Sequence, residues 1–153
     1  MVSQTVVDAF LAEPAIALVG VSRSGKKFGN FARRQLLAKG YRVYPIHPTA
    51  TTIDGVPCYS RIADLPEPVR AALIVVPPSE AAKVVGEAAA AGIRRVWLQQ
   101  GAGSPEVLRK CQEAGVEAVT GECILMFTSP TGPHKWHWWV NRLLGRLPKG
   151  GEC

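Results

Sequence analysis

The clearest gap in this 153-residue sequence concerns its acidic residues, none of which lies between Pro14 and Ile53. A second acid-free stretch, residues 123–151, lies near the end of the chain, whose net charge is +6. The first stretch is basic, so we expect an anionic partner to approach it. Within it we predict that Lys26 and Lys27 contact a ligand. By contrast, we predict that Arg33, Arg34 and Lys39 form a solvated face of the helix that follows.

Other functional signals are also missing. The four cysteines have neither a CxxC pair nor a Cys/His spacing suited to a metal, so we expect no metal site and free thiols in a reducing cytoplasm. They are Cys58, Cys111, Cys123 and Cys153. No apolar run has the length that crosses a bilayer, which argues against a membrane protein. The N-terminus has Asp8 and Glu13 and no basic start, which argues against a secretory signal.

The first acid-free stretch contains a Gly-rich, basic loop between an apolar run and a helical pattern. This loop, residues 20–29, includes Ser22, Arg23, Lys26 and Lys27. Loop amides and a helix N-terminus that point to one place form an anion site. We therefore interpret the loop as a binding site for a phosphorylated cofactor.

Two common nucleotide-binding motifs are matched only in part. The P-loop pattern fits Gly20-x-x-x-x-Gly25-Lys26-Lys27 except at its last position, where Lys27 replaces the hydroxyl residue that binds Mg²⁺. We therefore do not expect an NTPase. The GxGxxG spacing of a dinucleotide site is absent, and the second predicted strand leads into His47 without a carboxylate for a ribose 2′-hydroxyl. NADP or coenzyme A fits the basic loop better than NAD.

Short apolar segments alternate with helical patterns along the chain. Buried parallel strands are predicted at residues 15–21, 41–46, 71–76, 94–98 and 116–120. Helices are predicted at residues 4–11, 28–39, 80–91 and 105–114, with Ser79 and Ser104 as N-caps. The last three helices are followed by Gly40, Gly92 and Gly115. Residues 48–68 are predicted to be a loop with a short helix near residues 59–65.

This order predicts an α/β fold: a Rossmann-like, doubly wound sheet of five mainly parallel strands with helices on both faces. Ligands of such sheets bind outside the carboxyl ends of the strands. We expect four loops to meet there, at residues 20–29, 46–51, 77–79 and 99–104.

We divide the chain into a Rossmann-like domain at residues 1–130 and a C-terminal helix and tail at residues 131–153. The tail contains Trp136, Trp138 and Trp139 together with basic residues. It is typical of an aromatic-anchored helix that packs on the domain or on a second subunit, as in a homodimer or a complex with a partner subunit. It is too short and lightly charged for us to favour a membrane-surface or nucleic-acid role.

Five short stretches in a consistent order give the sequence a specific resemblance. They are Val19-Gly-Val-Ser22 with Lys27-Phe-Gly-Asn30, Gly40-Tyr-Arg-Val-Tyr-Pro-Ile-His-Pro48, Val75-Val-Pro-Pro78, Val96-Trp-Leu-Gln-Gln-Gly101 and Cys123-Ile-Leu-Met126. With these stretches the chain resembles the small stand-alone coenzyme A-binding proteins, whose domain is similar to the N-terminal domain of the succinyl-CoA synthetase α subunit. The resemblance implies a Rossmann-type fold that holds coenzyme A across the carboxyl ends of the strands.

The resemblance also implies roles for individual residues. The phosphates would be held by Gly20, Val21, Ser22, Lys26 and Lys27, with Arg23 in the same loop. The adenosine end would be flanked by Pro45 and Pro48, with the polar side chain of His47 near the ligand. The pantetheine arm would lie along Val76, Pro77 and Pro78, above Gln100 and Gly101.

The chain departs from the family at His47, where relatives usually have Asn, and at the third strand, where Val75-Val-Pro-Pro78 replaces an Arg-containing motif. We expect no counterpart of the ligase chemistry, since the synthetase domain with the phosphorylated histidine has no match here. No acid/base pair or activated nucleophile is evident, so we assign no catalytic residue. We expect non-catalytic binding of coenzyme A or an acyl-CoA. The alternative is an NADP- or other nucleotide-dependent enzyme, either an oxidoreductase or an acyl-transfer component.

Overall fold

The computed structural model describes residues 3–128. In chain order the strands are β1 (Ala15–Val19), β2 (Arg42–Ile46), β3 (Thr52–Ile53), β4 (Val56–Pro57), β5 (Ala71–Ile74), β6 (Arg95–Leu98) and β7 (Glu117–Thr120). Five of them form one sheet in the order β2-β1-β5-β6-β7, and every neighbouring pair in it is parallel. The predicted Rossmann-like sheet is confirmed.

Among residues 3–128, four α-helices accompany the sheet: α1 (Gln4–Leu11), α2 (Phe28–Ala38), α3 (Pro78–Ala90) and α4 (Pro105–Glu113). Ser104 caps α4 as predicted, because its hydroxyl accepts a hydrogen bond from the Val107 amide at 3.2 Å. The prediction of Ser79 as an N-cap is wrong. The helix begins at Pro78, and the N-cap is Pro77, because proline's fixed φ suits the first helical position.

Both faces of the sheet are buried, and successive side chains of each strand alternate between them. Ile16 and Leu18 belong to a core cluster with residues of α1 and α2, whereas Ala17 belongs to a second cluster with residues of α3 and α4. The indole ring of Trp97 anchors the first cluster, with edge-on contacts to the Phe10 and Phe127 rings at centroid distances of 5.4 and 5.3 Å. Burial of both faces explains the continuous apolar runs of the strand sequences.

The segment between β2 and β5 is more regular than the predicted loop. Strands β3 and β4 form an antiparallel hairpin. Its turn is made by Asp54 and Gly55, whose φ angles are 51° and 77°. Positive φ at both central residues is typical of a type I′ turn, for which Asp-Gly is a strong sequence signal. The short helix predicted near residues 59–65 is present as a 3₁₀ turn at Ile62–Asp64.

The cysteines differ in their chemical state. Cys58 and Cys111 are free thiols, and burial raises the pKa of both. Cys123 is disulfide-bonded, so the expectation of a free thiol is wrong there. Disulfide formation depends on which cysteines the fold brings together, and spacing in the sequence does not show this. None of the described helices has both the length and the hydropathy needed to cross a membrane. The predicted tail at residues 131–153 lies outside the described residues.

Candidate functional site

The carboxyl ends of β1 and β5 mark the point where the chain changes direction across the sheet. From β1 the chain moves outward to β2 and then returns to β5 on the other side of β1. The loops that follow two such strands diverge and leave a crevice, which is where α/β sheets bind ligands. The Val75 amide donates to the Val19 carbonyl oxygen at 2.8 Å, so the two loops start side by side.

Two glycines allow the loop after β1 to lie directly against its neighbours. Gly20 has a φ of +120°, and a Cβ atom there would overlap the Val75 carbonyl oxygen. A Cβ atom on Gly29, in the first turn of α2, would overlap the Gly20 carbonyl oxygen. Only glycine fits at either position without a backbone shift. The start of α2 is therefore held directly beside the end of β1.

The side chain of Asn30 fixes the same loop from within. Its Oδ1 accepts a hydrogen bond from the Ser22 amide, and its Nδ2 donates to the Ser22 carbonyl oxygen, both at 2.9 Å. Asn30 is fully buried, so these bonds are shielded from water. Asn30 is not among the predicted site residues. A polar residue on the buried face of an amphipathic helix is the sequence signal that could have identified it.

The N-terminus of α2 is open to an anion. Its N-cap, Lys27, makes no side-chain capping bond, and its first turn has no acidic residue. Within residues 3–128 the amides of Phe28 and Gly29 have no hydrogen-bond acceptor. By contrast, the first turns of α3 and α4 contain Glu80 and Glu106. The partial positive charge at the start of α2 is thus not balanced by a carboxylate of its own first turn.

Three predicted basic ligand contacts lie on the exposed side of this loop. They are Arg23, Lys26 and Lys27. In the described part of the chain, neither lysine forms an ion pair. Arg23 donates a hydrogen bond to the Thr49 hydroxyl at 2.6 Å, which joins the loops after β1 and β2. The lysine charges are therefore available for charge-assisted hydrogen bonds to a phosphate.

Arg33 does not belong to the solvated helix face that the sequence predicts, whereas Arg34 is exposed as expected. Arg33 is only 5% exposed, and each arginine lies 3.4 Å from an Asp54 carboxylate oxygen. Arg34 also donates to the Gly25 carbonyl oxygen at 3.4 Å. The prediction is wrong for Arg33, because the hairpin turn brings Asp54 back onto α2. Asp54 thereby ties the hairpin to α2, which starts at the end of the basic loop of residues 20–29, the predicted phosphate loop.

His47 shapes the loop that follows β2. Its ring Nδ1 accepts hydrogen bonds from the amides of Thr49 and Ala50, at 3.1 and 2.9 Å. An imidazole nitrogen that accepts a bond carries no proton, so the ring proton is assigned to Nε2. The side chain therefore folds back onto its own loop in the way that Asn does in an Asx turn.

Three predicted site residues, Val21, Pro45 and Pro48, differ in how far they are exposed. Val21 is 6% exposed and belongs to the core, so only its backbone can face a ligand. Pro45 is buried within β2, opposite Leu18 of β1. Pro48 is exposed in the following loop, so it is the better placed of the two prolines for contact with a ligand.

The walls predicted for the pantetheine arm come from the next two strands. Val76 and Pro77 follow β5, with Val76 packed on the second core cluster and Pro77 exposed, and Pro78 is the first residue of α3. Gln100 and Gly101 are exposed on the loop after β6. The structure records no hydrogen bond or ion pair between these two residues and residues 20–29 of the described chain. The structure thus brings the loops of β1, β2 and β5 into contact, and the Gln99 amide at the start of the β6 loop donates to the Ile74 carbonyl oxygen of β5 at 3.0 Å.

Acidic and metal-binding groups are sparse at this edge. Glu122 follows β7, and burial raises its pKa. Among residues 3–128, no group of three or more His, Cys, Asp or Glu side chains could hold a metal ion. A cavity of about 500 Å³ lies at the opposite edge, beside Leu11, Lys39 and Tyr41. Asp8 and Glu13 line that cavity, so it suits a phosphate less well than the loop after β1.

Comparison with known proteins identifies the family to which this domain is similar. A family model described as a CoA binding domain matches residues 14–129. A solved structure of a conserved hypothetical protein from Pyrococcus furiosus is 42% identical and covers 72% of this chain and 95% of its own, with a TM-score of 0.67. A hypothetical protein from Pyrococcus horikoshii is 29% identical and covers 80% of this chain and 87% of its own, with a TM-score of 0.74.

Curated relatives are much longer than the matching region. The acetate–CoA ligase (ADP-forming) I of Archaeoglobus fulgidus is 27% identical over an alignment of 124 residues, and the match covers 74% of this chain and 18% of the ligase. The second such ligase of that organism is 34% identical over 82 residues, 52% of this chain and 12% of the ligase. The chain thus spans less than a fifth of the length of these relatives. The match over residues 14–129 shows that the chain belongs to the CoA-binding domain family.

Proposed function

We propose that this protein binds coenzyme A or an acyl-CoA at the carboxyl edge of its sheet and does not itself catalyse a reaction. The observation that carries the proposal is the start of α2. Within residues 3–128, this position combines first-turn amides without an acceptor, a first turn without an acidic residue, and two lysines without an ion pair. Coenzyme A carries a diphosphate and a ribose phosphate, and this combination suits them.

The geometry of the loop supports close contact between its backbone and the phosphates. Gly20 and Gly29 allow the loop to pass close to β5 and α2, and Asn30 holds the Ser22 peptide in place. A loop whose shape is fixed in advance loses less entropy when a ligand binds. Arg23 bridges to the loop after β2, where the adenosine end would lie near His47 and Pro48.

The hydrogen bonding of His47 and the length of the matching region both support a purely binding role. The Nδ1 atom of His47 is engaged by two backbone amides, so it is not placed to activate a nucleophile. The curated ligases contain the matching region as less than a fifth of their length. A short module of this kind is suited to hold the coenzyme for chemistry that occurs elsewhere.

Other nucleotides are disfavoured by the loop after β2. An NAD site needs a carboxylate at the end of the second strand for a ribose hydroxyl, and residues 47–51 contain none. The nearest acidic residue along the chain, Asp54, is paired with Arg33 and Arg34. NADP is the closest competitor, because its extra phosphate also needs positive charge.

Calorimetric titration with coenzyme A, acetyl-CoA, NADP, NAD and ATP tests the proposal. Coenzyme A should bind with a micromolar dissociation constant, which corresponds to a binding free energy of about −8 kcal/mol. It should bind more tightly than NAD or ATP. A clear isotherm with NAD or NADP and none with coenzyme A would overturn the proposal. Mass spectrometry after incubation with acetyl-CoA should find the thioester intact, and turnover would instead favour an enzyme.

A further inference from the structure

The ring of His47 connects the adenosine side of the candidate site to its phosphate side. Its Nδ1 atom accepts hydrogen bonds from the Thr49 and Ala50 amides at 3.1 and 2.9 Å. Thr49 in turn accepts a hydrogen bond from Arg23 at 2.6 Å through its hydroxyl. One imidazole therefore determines the course of the loop after β2 and, through Thr49, the position of an arginine in the phosphate loop.

Protonation of the ring is incompatible with this arrangement. A proton on Nδ1 would point at two N–H groups, and an imidazolium has no acceptor atom. Both backbone amides would lose their partner, and the loop would have to open. We propose that His47 is a positioning residue whose neutral ring holds Thr49 and Arg23 in the arrangement that receives the coenzyme, so that protonation of the ring weakens binding. The inference rests on the proposed function.

Charged and titratable groups from three other parts of the fold contact the loop of His47 or the residues beside it. Arg23 belongs to the loop after β1. Cys58 and Tyr59 follow β4, and the Tyr59 carbonyl oxygen accepts the His47 amide at 2.9 Å. Arg33 of α2 lies near the Cys58 thiol, whose pKa is raised by burial. Histidine is the side chain that ordinarily changes charge between about pH 5 and pH 8, so the test below covers that range.

Two effects of acidification have opposite signs. An imidazolium would add positive charge near the phosphates, which by itself would strengthen binding. The loss of two backbone hydrogen bonds would weaken it. The sign of the pH dependence therefore separates a positioning role from simple charge attraction.

The test compares the wild type with His47→Asn and His47→Ala. The Asn side chain can accept the same two amides but does not titrate. Dissociation constants for coenzyme A are measured by calorimetry at about pH 8 and about pH 5.5. Acidification should weaken the wild type roughly tenfold more than His47→Asn. His47→Ala should bind more weakly than His47→Asn at both pH values. The Asn variant also corrects for protonation of the ligand's own phosphates.

A ligand-free measurement supplies the second readout. The amide resonances of Thr49 and Ala50, followed by ¹⁵N NMR over the same range, should shift and exchange faster at low pH in the wild type, and not in His47→Asn. Unmoved amides, or equal pH ratios of binding in the two proteins, would overturn the positioning role and leave the proposed function intact. If coenzyme A binds at neither pH, the proposed function fails, and this inference fails with it.

Discussion

Asn30 satisfies both backbone polar groups of Ser22, accepting from its amide and donating to its carbonyl oxygen at 2.9 Å. The two residues belong to the first turn of α2 and to the loop before it. These two hydrogen bonds hold the Ser22 backbone of the predicted phosphate loop in place. Because the loop is ordered in advance, less of the binding free energy is lost in ordering it.

Replacing Asn30 by Ala should lower both stability and affinity. The change leaves a shielded amide and carbonyl without a partner, which costs about 1–3 kcal/mol. Urea unfolding should show a loss of that size, and calorimetry should show weaker binding of coenzyme A.

Gln35→Ala is the matched control for this substitution. It removes an amide side chain from the same helix, and within the described residues that side chain has no hydrogen bond. Its unfolding free energy should change by less than about 0.5 kcal/mol. Equal losses in the two variants would contradict the role given to Asn30.

Gly29→Ala should lower the stability of the fold, whereas Gly86→Ala should not. A Cβ atom on Gly29 would overlap the Gly20 carbonyl oxygen, whereas one on Gly86 would meet the end of the flexible Lys110 side chain at 3.3 Å. Alanine is favoured over glycine inside a helix by about 1 kcal/mol, so Gly86→Ala should be neutral or stabilising. Gly29→Ala should be destabilising, because the backbone of the phosphate loop must shift. Thermal unfolding of both variants measures this, and a tolerated Gly29→Ala would mean that the loop does not need the close approach.

The strands could be predicted from the sequence because burial on both faces leaves a plain signal. Ala17 and Leu18 point to opposite cores, and both are apolar, so the run is continuous. The first predicted strand extends past Val19 because Val21 is also apolar. The structure ends β1 at Val19, since Gly20 takes a positive φ.

The tertiary contacts of the site could not be predicted in the same way. The basic loop and its glycines are local features. The pairing of Asp54 with Arg33 and of Ser22 with Asn30 depends on how the chain folds back on itself. A local signal for the hairpin did exist in Asp54-Gly55. The nearby prolines favour a loop, so the hairpin turn that brings Asp54 to α2 is not predicted from the sequence.

Replacing both Lys26 and Lys27 by Ala should reduce affinity for coenzyme A at least about tenfold, since charge-assisted hydrogen bonds contribute roughly 1.5–3 kcal/mol each. Stability should barely change, because both side chains are exposed. The double variant Lys83→Ala/Lys110→Ala removes the same charge from α3 and α4 and should bind nearly as well as the wild type. An equal loss in both double variants would indicate general electrostatic attraction and not a local site.

Glu67 should contribute to the acid sensitivity of the fold. It is paired with Arg42 at 2.7 Å and accepts the Tyr44 hydroxyl at 2.6 Å, and these bonds hold its pKa below the usual value. A carboxyl group with a lowered folded-state pKa stabilises the fold above its unfolded pKa, and this stability is lost as the pH falls through the folded pKa.

The difference in urea midpoint between about pH 7 and about pH 3 should therefore be smaller in Glu67→Gln than in the wild type. Asp64, whose pKa is lowered by its bonds to Arg61, acts in the same direction and is unchanged in the variant. Glu113→Gln removes an equal charge and should behave like the wild type. An acid response in Glu67→Gln as large as that of the wild type would refute the assignment.

Pro77→Gly should weaken coenzyme A more than it weakens 3′,5′-ADP, which lacks the pantetheine arm. Pro77 is exposed at the carboxyl edge, just after β5, with a φ of −57°, so it offers a rigid apolar surface without an amide donor. A flexible arm gains most from a wall that need not be ordered on binding.

Pro77 is also the N-cap of α3, and a purely structural role would lower stability and leave the two ligands equally affected. The ratio of the two dissociation constants should rise roughly threefold in Pro77→Gly and stay unchanged in Pro68→Gly, which precedes β5 at the opposite edge. An unchanged ratio in Pro77→Gly would remove this turn from the pantetheine wall, and coenzyme A binding would then rest on the phosphate loop alone.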